Sequence, residues 1–216
     1  MNQAQAWYEE QQSTGFPALM TGDLFLSMYH GNLLSAAVAY FQKVGSHWSH
    51  GGVYIWGGMT SEATSPKGGL HKLRDKMTSR YTLAIYRIVG IDRDQRYAIA
   101  AEACRIDHRP YDNWHLFRAL VDNFFERLTW NGQTGWKPMS WFFKASSDDK
   151  NFCTELVERA VYKATGEKMQ GGDLGDARPT DMLDYCKRRC DLVFFHDKGK
   201  VQPSVPPPLL KMVVRR

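Results

Sequence analysis

The chain of 216 residues has no apolar run long enough to cross a bilayer. Its first residues, Met1-Asn2-Gln3-Ala4-Gln5, hold neither a basic leader nor an apolar stretch, so no secretory signal is expected. The cytoplasm is the default compartment, with attachment to a virus or phage particle as the alternative. Cysteine is scarce: Cys104, Cys153, Cys186 and Cys190 show no framework of a small disulfide-stapled domain. Cys186 and Cys190 stand four apart on a segment read as helical, but zinc sites use closer pairs or added histidines, so no metal and no cofactor is expected. Charge of one sign is not concentrated either. The 28 basic and 23 acidic residues leave a net +5, dispersed except at Lys187-Arg188-Arg189 and Arg215-Arg216, and no nucleic-acid partner is expected. There is no internal repeat.

What is present is a core. A hydrophobic fraction of 43%, with 13% aromatic, excludes wholesale disorder and suits one domain. Residues 1–20 read as an N-terminal extension, 21–200 as the domain, and 201–216 as a proline-rich extended tail. Leu24 to Met28, His50 to Trp56, Met59 to Ala63, Tyr81 to Val89 and Leu192 to Phe195 read as strands. Asn32 to Val44, Arg93 to Cys104, Val121 to Arg127 and Phe152 to Ala164 read as helices. Strands and helices mix without regular βαβ alternation, which predicts an α+β fold, an antiparallel sheet packed against helices.

Two segments carry chemistry. In Asn151-Phe152-Cys153-Thr154-Glu155-Leu156-Val157, apolar residues recur at helical spacing and Asn151 or Asp149 can cap the start. Cys153 then falls in the first turn, where free N–H groups and the helix dipole favour a thiolate and can form part of an oxyanion hole. Asp148 and Asp149 oppose that thiolate if they point inward. In Ser49-His50-Gly51-Gly52-Val53-Tyr54-Ile55, an imidazole starts a strand beside two glycines that permit close approach. Such an imidazole can take a thiol proton and return it to a leaving group. Taken singly, a small core cysteine and a structural histidine explain each residue; taken together they make a nucleophile and its base.

The order Gly22-Asp23-Leu24-Phe25-Leu26, Ser49-His50-Gly51-Gly52-Val53-Tyr54-Ile55, Glu62-Ala63, Pro110-Tyr111-Asp112 and Phe152-Cys153-Thr154-Glu155-Leu156-Val157 resembles the circularly permuted papain-like enzymes, the YiiX-like branch related to NlpC-type cell-wall peptidases. The resemblance covers residues 21 to 195; Thr154 stands where serine is usual, and Arg178 to Leu183 looks like the family's late Thr-Pro-x-Asp segment with two residues exchanged. It implies a permuted papain-like fold, with Cys153 as nucleophile, His50 as base and Glu62 as the carboxylate orienting the imidazole. It also puts Tyr111 near the nucleophile, for an oxyanion hole or substrate contact, with Thr154 beside it.

Glu62 raises a problem of register. A two-residue Gly57-Gly58 turn in a regular hairpin pairs Val53 with Glu62 and turns Glu62 away from His50. Direct opposition of His50 and Glu62 therefore predicts a bulge or an odd-length loop near Trp56. Trp114, Trp130, Trp136, Trp141, Phe142 and Phe143 crowd the stretch before Cys153; a substrate groove, core and subunit interface all fit them.

Three functions compete. A cysteine amidase or peptidase would cleave an amide or ester bond of a peptide, a peptidoglycan stem or an N-acyl amino acid. An acyltransferase or lipid thioesterase would act on a lipid-like substrate held in a deep apolar groove beside Cys153. A non-catalytic module, such as a component of a viral assembly, would keep the fold without the chemistry. The sequence leaves substrate and oligomeric state open.

Overall fold

A computed structural model describes residues 19–31, 35–36, 48–64, 66, 68–106, 108–109, 153–171, 177–198 and 200–202. Strands β1 (Leu24–Tyr29), β2 (His50–Trp56), β3 (Met59–Glu62), β4 (Gly69–Lys72), β5 (Tyr81–Ile88), β6 (Cys190–Asp197) and β7 (Lys200–Gln202) form a 7-stranded sheet in the order β4-β3-β2-β1-β5-β6-β7. Every pairing is antiparallel. Helices α1 (Arg93–Ile106), α2 (Cys153–Thr165) and α3 (Pro179–Arg189) complete the described elements, with a single 3₁₀ turn at Leu73–Lys76. This is the expected α+β class, an antiparallel sheet packed on helices.

Both faces of the central strands are covered, which is why Leu24, Phe25 and Leu26 of β1 are apolar in succession rather than alternating with polar residues. Leu24 and Leu26 point toward the helices and join Val53, Ile55, Ile99, Leu156, Val157 and Met182 in the larger core. Phe25 points the other way, into a smaller cluster with Tyr54, Leu73, Leu83, Ile85 and Phe194. Burying a side chain of this size contributes roughly 1.5–3 kcal/mol. α1 starts at a reciprocal cap: Gln95 N–H donates to Asp92 Oδ1 at 2.8 Å, and Asp92 N–H to Gln95 Oε1 at 3.1 Å. α3 starts with Pro179 in its first turn, and Arg178 N–H donates to Asp181 Oδ2 at 2.9 Å.

Several boundaries differ from the sequence reading. β7 pairs Val201 with His196 and Gln202 with Phe195, so the sheet takes two residues assigned to the tail. Cys190 opens β6 instead of continuing the helix that holds Cys186. β4 was not expected, because Gly69-Leu70-His71-Lys72 is an edge strand with no fully buried residue. Of the helix predicted over 32–44, only the helical residues 35–36 are described, and Val121 to Arg127 lies outside the described residues.

Candidate active site

The β2–β3 hairpin decides where Glu62 goes. Gly57 and Gly58 adopt φ of 57° and 79°, a two-residue turn that sets Trp56 across from Met59. The register then shifts: Tyr54 pairs with Thr60 and Val53 with Ser61, leaving Ile55 as the extra residue of a bulge. One step further along this ladder, Glu62 comes across from Gly52, on the face that His50 shares. The expected irregularity is there. Direct opposition is not: Glu62 meets His50 diagonally, with Nε2 at 2.8 Å from Oε2. Gly52 makes the diagonal passable, since a Cβ there would lie 2.5 Å from the Phe25 ring and 2.7 Å from the Ser61 carbonyl oxygen. The Phe25 ring in turn backs the imidazole, 6.1 Å between centroids.

Glu62 is wholly buried and fully engaged. Oε2 accepts from His50 and from Lys76 Nζ at 2.9 Å, and Oε1 accepts from the Thr60 hydroxyl at 2.5 Å. Burial alone would push this carboxyl up. The His50 hydrogen bond, the Lys76 and His50 charges and the Thr60 hydroxyl instead hold it well below its ordinary range.

Cys153 is buried as the first residue of α2. Its sulfur is in hydrogen-bond contact with the imidazole of His50, which stays about one-fifth exposed. Burial pulls the His50 pKa down, but the Cys153 and Glu62 partners outweigh it and raise the value to about 9. With Nε2 committed to the carboxylate, Nδ1 is the nitrogen left for the sulfur. The start of α2 reaches the strand because Gly51 lacks a side chain: a Cβ there would meet Met182 Sδ at 2.8 Å and Thr154 Cγ2 at 3.4 Å.

Thr154 follows the cysteine in the first turn of α2. Its side chain is buried and its hydroxyl donates to the Ala177 carbonyl, tying α2 to the segment before α3. Only its main-chain N–H, in the first helical turn, is a candidate oxyanion donor. Glu155 is buried against Arg159, 2.7 Å away. Tyr111, the capping residues Asp149 and Asn151, and the tryptophan-rich stretch lie outside the described residues.

Sequence reasoning missed Lys76 and Thr60. Thr60 had a signal, since a strand puts residues two apart on one face, and Thr60 and Glu62 are two apart. Lys76 had none: Leu73-Arg74-Asp75-Lys76 reads as polar surface. A groove of about 470 Å³, lined by Trp56, Tyr97 and Cys104 among others, lies at the end of β2 away from His50 and includes no candidate residue. Among the described residues no three His, Cys, Asp or Glu side chains are arranged to hold a metal ion. No helix among them is long and apolar enough to cross a membrane.

The sequence matches no protein-family model and no curated protein. Among solved structures, the chain is similar to the metalloprotein YiiX from Escherichia coli O157:H7, with 21% identity and a TM-score of 0.47, over 69% of this chain and 68% of that one.

Proposed function

We propose that the chain is a thiol hydrolase of the circularly permuted papain-like type, cleaving an amide or ester bond through an acyl-enzyme. One observation carries this reading: a single imidazole contacts both a buried carboxylate and the sulfur of the first residue of α2. In the proposed reaction His50 Nδ1 takes the Cys153 proton, and the thiolate attacks the substrate carbonyl carbon. The oxyanion forms near the N–H groups of the first turn of α2. The tetrahedral intermediate collapses with loss of the amine or alcohol, which leaves with the proton from His50. Water, deprotonated by the same imidazole, then releases the acid and restores the thiol. Glu62 fixes the ring tautomer and stabilises the imidazolium. Peptides, peptidoglycan stems and N-acyl amino acids are the substrate classes proposed for it. An acyltransferase would run the same first half-reaction and replace water with another acceptor.

Labelling with iodoacetamide across pH tests the nucleophile. Cys153 is expected to react fastest of the four cysteines at neutral pH, and His50→Ala to slow it on the order of 100-fold, the low end of a general base's contribution. Equal labelling of Cys153 and Cys104, with no response to His50→Ala, would leave a non-catalytic module as the reading.

A further inference from the structure

A second cation sits in the site beyond the three residues of the proposed triad. Lys76 ends the 3₁₀ turn that follows β4, and its side chain is only 11% exposed. Its ammonium lies 2.9 Å from Glu62 Oε2, the same oxygen that accepts from His50 Nε2. The rings of Phe25 and Tyr81 hold it at 5.8 Å and 5.6 Å from their centroids, so it is aimed by packing rather than drawn from solvent. Among the described residues, the charged or titratable groups facing this pair are Cys153 from α2, Lys76 and, against Lys76, the Tyr81 phenol of β5. The remaining neighbours are the Thr60 hydroxyl, which also reaches the His71 carbonyl oxygen at 3.2 Å, and the Phe25 ring.

A buried carboxylate faces the imidazole, and left uncompensated it would hold the ring proton too firmly to pass it on. We infer that Lys76 is a positioning residue of the site: its ammonium takes up part of the Glu62 charge and so keeps the His50 imidazolium able to release its proton to a leaving group. This rests on the hydrolase reading for its consequence, since the leaving group needs that proton. It rests on geometry alone for its physical content.

The test reads the His50 proton directly. In full-length protein with labelled histidine, Lys76→Met and Lys76→Gln are each expected to move the His50 titration midpoint upward by roughly one pH unit, because a positive charge on its carboxylate has gone. A role limited to anchoring the 3₁₀ turn would lower the folded fraction and leave the midpoint still. An unmoved or lowered midpoint in a folded variant overturns the inference. Should neither variant fold, wild-type protein labelled at lysine Cε decides the matter. Lys76 is expected to show an inflection at the His50 midpoint, and a flat response overturns the inference. Failure of the hydrolase reading shows separately, as an unreactive Cys153 beside a His50 that still responds to Lys76.

Discussion

Asp23 and Glu62 are both wholly buried carboxylates, each set between two cations, yet they are opposite devices. Asp23 is gripped by Arg87, with Nε at 2.9 Å from Oδ1 and Nη2 at 2.8 Å from Oδ2, and Arg96 Nη1 stands 3.7 Å away. Met20 N–H closes the ring at 2.8 Å. Guanidinium groups do not give up protons at any physiological pH, so this cluster has nothing to transfer; it fastens the start of β1 to β5 and α1. Burial even wins there, leaving the Asp23 carboxyl raised despite its partners. At Glu62 one cation is an imidazole, whose proton can leave, and the carboxyl is held low. The same ingredients make a clasp where the partner cannot titrate and a proton-handling site where it can.

The largest expected effects test that division. Asp23→Asn and Glu62→Gln each strand buried cations and should cost about 3–5 kcal/mol in chemical denaturation. They part in reactivity. Glu62→Gln should slow iodoacetamide labelling of Cys153 at pH 7 by roughly tenfold or more, the worth of a hydrogen bond to a charged group, whereas Asp23→Asn should leave labelling per folded molecule unchanged. Equal loss of labelling in both would make Glu62 another clasp.

The pH dependence of stability sharpens the contrast. Glu62, depressed on folding, contributes stability present above its unfolded pKa of 4.5 and lost as pH falls below it. Asp23, raised on folding above 3.8, acts in the opposite sense, since the folded state takes its proton first as pH falls. Melting curves below pH 5 should therefore flatten in Glu62→Gln and steepen in Asp23→Asn. On the alkaline side, His50 contributes stability present below 6.5 and lost as pH rises through about 9, a slope that His50→Ala should remove. The smallest effect is expected at the Thr60 hydroxyl. Thr60→Val removes one donor from Oε1 and should cost about 1–2 kcal/mol while labelling changes only a few-fold.

The sequence made the strands and helices of the core readable because their burial leaves an apolar run or a period. Leu24 to Met28, Tyr81 to Val89 and the face Leu156, Val157, Ala160, Val161 each announce themselves. β4 and β7 are short strands at the two edges of the sheet, held by backbone pairing to one neighbour, and edge pairing leaves little trace in side chains. His50, Cys153 and Glu62 were singled out as residues, and the hairpin irregularity followed from parity. The diagonal contact did not, because it depends on the absence of a side chain at Gly52 and on where the Phe25 ring sits. Lys76 was invisible for a related reason: its charge is packed against Phe25, distant in the chain, as well as Tyr81, while its neighbours Arg74 and Asp75 face solvent.

The extra residue at Ile55 makes the hairpin behave as a two-position switch. Pairing Ile55 into a regular ladder would turn β3 over as a unit, setting Glu62 across from Val53 in the apolar layer under the helices and Ala63 across from Gly52. In any related chain the length of the hairpin and its bulge, counted together, thus decide whether a carboxylate at the matching position can reach its histidine.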